Sequence, residues 1–226
     1  VVIQKLDVLL AIDRAGIVGA DGETHQGIYD ISFLRILPKI VIMTPSDELE
    51  MWKMLTTGFN YNGLASVRYP RGFSLGLDLD LKLENIEIGK SKLIRDGEKI
   101  AYLVFGTLTN NVKLVAEKNN ATVVDMRFVK PIDEKMIIDI CNSHEYIFIV
   151  EDNAILGGAG SAVNEVVIKN GIQAKIVNLG VPDKMISHGN QDEILTDLGL
   201  DVSGIMKTTN DHIASMVKLD KQANKK

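Results

Sequence analysis

The chain has 226 residues, with 25 Lys and Arg against 30 Asp and Glu, a formal net charge of −5. At roughly 150 residues per domain this is one large or two modest domains, and 46% hydrophobic with 24% charged residues is the balance of a folded globular chain. The mild acidity argues against a nucleic-acid binder, which needs clustered Lys and Arg. The single cysteine, Cys141, excludes an intrachain disulfide and fits a reducing compartment.

In chain order, Val1 rather than Met stands first and an apolar pattern follows at once, which predicts a piece of a longer polypeptide. The start has neither the basic flank nor the small-residue cleavage site of a signal peptide, and no uncharged apolar stretch approaches the ~18 residues of a membrane helix. A cytoplasmic protein without membrane or nucleic-acid partners is expected.

Apolar runs at Val8–Ile12, 40–43, 65–67, Ile100–Phe105, 122–128, 146–150 and 175–179 suit strands buried on both faces. They alternate with helical patterns, so the predicted fold is α/β with mostly parallel sheets flanked by helices. After the second run, Ser46 reads as a cap. Leu49, Trp52, Leu55 and Phe59 then form a helical stripe in which Trp52 is expected in the core. A second helix starts at Asp133 and ends near Ser143. Between Gly72 and Glu87, FSLGLDLDLKLEN alternates Leu with polar residues; a linker at 74–86 is favoured over an edge strand. That divides the chain into 1–73 and 87–226. Residues 218–226 read as a frayed, solvated tail.

The densest polar segment, 13–27, follows a predicted buried strand and so lies at a strand's carboxyl end, where open α/β sheets bind ligands. Its glycines allow turns that a side chain would forbid, and they present Arg14, Asp21 and His25 on a short loop. Taken singly, the arginine reads as a solvated surface group, the aspartate as a turn residue and the histidine as a cap. Their joint occurrence is what makes the loop a candidate site. In VRYPRG, Pro70 fixes the backbone and Gly72 frees it, so Arg71 is presented from a defined turn. Its fork suits phosphate or carboxylate oxygens, although a surface ion pair is the simpler account of the residue alone. Segment 151–161 lacks the glycine order of a dinucleotide loop, since position 163 is Val, and reads as a tight turn with close helix packing. Neither a zinc spacing nor a Ser, His and acid order is present.

DRAGIVGADGETHQGIYDISFLR, IVIMTPSDE, SVRYPRG, VEDNAILGGAGSAVNE and LGVPDKMISHGNQDEILTDLGLD, in that order, resemble segments of the 1-deoxy-D-xylulose-5-phosphate synthases. These are thiamine-diphosphate enzymes of the transketolase superfamily. The resemblance covers nearly the whole chain. It implies that 1–73 is the later part of a pyrimidine-binding domain and 87–226 a transketolase C-terminal domain. It also implies a homodimer, and a reaction joining pyruvate to glyceraldehyde 3-phosphate with thiamine diphosphate and magnesium. By the same resemblance Arg14 and Arg71 hold the acceptor's phosphate, and Asp21 and His25 orient the aldehyde and relay protons. The family's activating glutamate, ring-stacking aromatic and magnesium motif have no counterpart in this sequence. The chain alone is therefore expected to bind no thiamine diphosphate and to need the missing N-terminal half of the same enzyme. Arg95-Asp96-Gly97 with Asn119-Asn120 resembles a magnesium-diphosphate motif only faintly and reads as a hairpin turn. The alternative from another class is a non-catalytic binding or dimerisation module, in which the four polar residues are relics.

Overall fold

The computed structural model describes residues 1–77 and 82–223. Its strands form two mixed sheets. In the first, β1 (Val8–Ile12), β2 (Val41–Met43) and β3 (Leu64–Arg68) run parallel in the order β1-β3-β2, and β7 (Phe128–Lys130) adds antiparallel to β2. In the second, β4 (Lys92–Arg95), β5 (Ile100–Phe105), β6 (Thr122–Asp125), β8 (Tyr146–Ala154) and β9 (Lys175–Val181) lie in the order β4-β6-β5-β8-β9, with only β4 antiparallel. The connections carry α1 (Asp30–Leu34), α2 (Glu48–Phe59), α3 (Thr109–Asn119), α4 (Glu134–Ser143), α5 (Ala159–Lys169) and α6 (Gln191–Asp197); α7 (Val202–Ala223) closes the described chain. The α/β architecture read from the alternation of runs is the one that forms.

A single core cluster joins the sheets: Ile31, Ile42 and Leu64 pack in one group with Leu103, Phe105, Ile149 and Val163. Each such side chain, taken fully out of water, contributes roughly 1.5–3 kcal/mol. A second cluster holds Tyr102 and Phe148 of the second sheet together with Val112 of α3 and Ile205 of α7.

The run 122–128 is one strand in the sequence and two in the fold. Arg127 has φ +57, a left-handed conformation foreign to a strand, and there the chain leaves the second sheet. Phe128 is then buried with Val41, Met43, Met54 and Val67 of the first. Apolar continuity reports burial, and is silent on which sheet supplies it.

Helix α2 also differs from expectation. Its cap is Asp47, whose carboxylate accepts the Glu50 N–H at 2.8 Å, while Ser46 is buried. The face turned inward is Glu50, Met54, Thr57 and Gly58. A Cβ on Gly58 would crowd Leu9 and Met43, so the helix lies close on the sheet. Trp52 is only half-buried and donates its Nε1–H to the Lys82 carbonyl at 3.1 Å, and Phe59 is 82% exposed. A hydrophobic stripe could not reveal that Glu50 would be drawn inside by Arg127 at 2.6 Å and Lys92 at 3.3 Å.

Strand β4, charged and largely unburied, escapes the apolar criterion; it pairs with β6 and not with β5. The Asp96-Gly97 turn is therefore a crossover and not a hairpin. It is held by Arg95 donating to Asn120 Oδ1 at 2.8 Å and by the Gly97 N–H donating to Thr122 Oγ1 at 2.9 Å. Residues 72–77 and 82–91 contain no strand, and the predicted alternation at Asp78 to Leu81 lies outside the described residues. Helix α4 begins as expected, with Asp133 accepting the Met136 N–H at 3.2 Å. Segment 151–161 is the close-packed turn anticipated: buried Glu151 accepts from the Ala159 and Gly160 N–H groups at 2.7 and 2.8 Å, a Cβ on Gly158 would collide with it, and one on Gly160 would press on Asn178 and Glu151. Burial pushes the Glu151 carboxyl up to about 8, against the pull of those two amides and of the Arg68 charge. Among the described residues no helix is long and apolar enough to cross a membrane.

Candidate functional site

Strands β1 and β3 are paired in parallel with Ile12 opposite Arg68, so the loops that leave them start side by side. The Tyr69 N–H donates to the Ile12 carbonyl at 2.9 Å and the Ala15 N–H to the Tyr69 carbonyl at 3.0 Å, which ties the two loops together. Arg14 takes a left-handed φ of +56, where the first loop bends away from the strand. Gly16 and Gly27 exchange backbone hydrogen bonds at 2.6 and 3.0 Å and close that loop at its base.

At the rim, one Asp21 carboxylate oxygen accepts from Arg71 Nη1 at 2.6 Å, and the other lies 3.5 Å from Arg14 Nη1. The structure thus brings three of the four predicted side chains to one point, although Asp21 and Arg71 are 50 residues apart in the chain. Both guanidinium groups remain about half exposed. The hydrogen bond from Arg71 holds the Asp21 carboxyl below the ordinary aspartate range, and the Arg14 and His25 charges add to that. His25 sits in a 3-10 turn, Glu23–His25, exposed, with its Nδ1 2.9 Å from Thr24 Oγ1; it reaches Asp21 through its charge. Two half-exposed arginine forks around a displaceable carboxylate are suited to bind an anion with several oxygens.

Beneath this rim lies an ion triad that sequence reasoning did not single out. Arg68 is 3% exposed; it donates Nε–H to Asp30 Oδ2 at 2.8 Å, Nη1–H to Asp152 Oδ1 at 2.5 Å and Nη2–H to the Gly27 carbonyl at 3.0 Å. Burial alone would depress its pKa, and the two carboxylates raise it instead. A signal existed: β3 is buried at every position, and an arginine ending such a strand requires counter-charges. A cleft of about 450 Å³ adjoins Arg71, bordered by Ser46, Asp47, Thr107, Asn110 and Gln191. Among the described residues no three His, Cys, Asp or Glu side chains stand close enough to share a metal ion.

Residues 1–73 match the transketolase pyrimidine-binding domain and residues 89–205 the transketolase C-terminal domain. The chain is 55% identical over 206 residues to 1-deoxy-D-xylulose-5-phosphate synthase of Enterobacter sp. (strain 638), covering 91% of this chain and 33% of that protein. It is 50% identical over 214 residues to the enzyme of the same name from Vibrio campbellii, covering 95% and 34%. The chain thus spans about a third of the length of the curated relatives it matches. Among solved structures it is similar to a split-gene transketolase described as an inactive β4 tetramer, with TM-score 0.82 and 23% identity over 94% of this chain and 69% of that one. It is also similar to transketolase from Campylobacter jejuni, with TM-score 0.66 and 18% identity over 90% and 31%. With both domain matches on the same α/β scaffold, the chain belongs to the transketolase family, with a pyrimidine-binding domain at 1–73 followed by a C-terminal domain at 89–205.

Proposed function

We propose that this chain is the C-terminal third of a thiamine-diphosphate and magnesium-dependent synthase that condenses pyruvate with glyceraldehyde 3-phosphate. The products are 1-deoxy-D-xylulose 5-phosphate and carbon dioxide, and the chain supplies the acceptor side of the site. The supporting observation is the meeting of Arg14 and Arg71 on the Asp21 carboxylate. A phosphomonoester brings nearly two negative charges and three acceptor oxygens, enough to engage both guanidinium groups once Asp21 yields its place. Asp21, released, and His25 then lie on the same loop as Arg14, positioned to orient the aldehyde and move a proton at its carbonyl oxygen. The remaining two-thirds of the enzyme supplies the cofactor and its carbanion chemistry. The same reading includes a cytoplasmic homodimer, a linker at 74–86, a second domain reaching from 87 to 226, and a chain that is inactive by itself.

Arg14→Ala and Arg71→Ala in the full-length enzyme test this. Each removes a charge-assisted hydrogen bond to the acceptor phosphate, which raises the KM for that substrate about ten- to a hundredfold and leaves the KM for pyruvate unchanged. An unchanged KM for glyceraldehyde 3-phosphate in both variants refutes the assignment.

A further inference from the structure

We infer that Gln191, far in sequence from the site motifs, is a positioning residue for the anion-binding loop. The inference rests on the acceptor-phosphate reading above and deepens it. Between Arg14 and Gly22 the chain has no helix or strand to orient it, so its backbone groups must find partners elsewhere. Gln191 Nε2–H donates to the Ile17 carbonyl at 2.6 Å. The Gly189 N–H donates to the Gly19 carbonyl at 3.3 Å, and the Val18 N–H is taken by Gln26 Oε1 at 2.9 Å. Gly19 has φ +70, and a Cβ there would come within 2.8 Å of the Gly189 carbonyl oxygen and 2.9 Å of the Gln191 nitrogen. The loop thus meets the start of α6 backbone against backbone. Apolar packing seals the same seam, with Ile17 and Ile28 buried against Val181, Ile186 and Ile194.

Ile17 lies between Arg14 and Asp21, so the direction of its carbonyl governs where both side chains emerge. Gln191 also borders the cleft beside Arg71. One neutral amide therefore couples the loop of the pyrimidine-binding domain to α6 of the C-terminal domain at the level of the anion site. Gln191→Ala abolishes this short, partly buried hydrogen bond. In Gln191→Met the size and neutrality are kept but the donor is gone.

The experiment measures, in the full-length enzyme, KM for glyceraldehyde 3-phosphate, for unphosphorylated glyceraldehyde and for pyruvate. Both Gln191 variants are expected to raise the first about five- to tenfold and to leave the other two unchanged, because only the phosphorylated aldehyde uses the arginines. Ile194→Val thins the same apolar seam without touching the amide, and is expected to change none of the three. Loss of affinity for both aldehydes alike, or no change for either, overturns the positioning role. Should Gln191→Ala not fold, the similarly sized and uncharged Gln191→Met decides. Arg71→Ala separates the two readings. If it raises the KM for the phosphorylated aldehyde while the Gln191 variants do not, positioning fails and the anion site stands; if neither it nor Arg14→Ala does, the anion site itself fails and the positioning role with it.

Discussion

Arg68 of the first sheet and Asp152 of the second meet at 2.5 Å, with the side chains of both almost wholly buried. The pair lies in a crevice that open α/β sheets ordinarily use for ligands. In the order β6-β5-β8-β9 the direction of winding reverses between β5 and β8, and ligands bind beyond the carboxyl ends of the strands at such a switch point. Here Gly106 and Asp152 border that point, and Gly16, which could carry no side chain without striking Asp152, closes over it. The second sheet therefore serves as a socket for the first, and the proposed anion site lies at the outer rim of that joint.

Removing the Arg68 charge from this joint leaves two buried carboxylates unpaired. Arg68→Met is expected to cost about 3–5 kcal/mol in urea unfolding, and adding Asp30→Asn and Asp152→Asn should recover part of it. A decrease under about 1 kcal/mol would show that the triad is not what holds the sheets together.

Asp21 occupies both arginines and, on the proposed reading, competes with an anion for them. Asp21→Asn should tighten binding of inorganic phosphate by about threefold in calorimetric titration of this chain, and at the same time slow turnover in the full-length enzyme. Weaker phosphate binding by the variant would mean that Asp21 orders the arginines for the ligand and does not stand in for it.

Asp125 gives a pH signature. Burial pushes its carboxyl up to about 6, with the Glu50 charge adding to that and the Ser46 and Arg127 interactions opposing it. In the unfolded chain the group ionises near 4. Between these values the native state binds more protons than the unfolded state, so the stability from this group falls as pH rises from about 4 to 6 and stays absent above. Asp125→Asn removes the titration. Its unfolding free energy should exceed that of the parent at pH 7, by something on the order of 2–3 kcal/mol, with the gap closing at pH 4. A pH-independent gap would contradict the assignment.

Cap chemistry at α2 provides a local check. Asp47→Ala removes the acceptor for the Glu50 N–H and should destabilise the chain by about 1 kcal/mol, read as a lower urea midpoint. No change would return the cap to Ser46.

All four candidate residues in 13–27 and VRYPRG, Arg14, Asp21, His25 and Arg71, can be nominated from sequence because glycine-rich turns after buried strands present charged side chains in any α/β sheet. That Arg14 and Arg71 share a carboxylate depends on the pairing of Ile12 with Arg68, a register set by packing of β1 against β3. That Arg68 ends a buried run is legible in the sequence, but its counter-charges, 38 and 84 residues away, are not.

Local pattern determined the α/β class, most strands and the start of α4, since burial on both faces and capping are properties of neighbouring residues. Which sheet Phe128 joins, why Glu50 turns inward, and how Gln191 reaches the Ile17 carbonyl 174 positions away were decided by tertiary structure. Each of these depends on a partner that the chain brings close only once it has folded, and hydrophobic periodicity carries no information about that partner's identity.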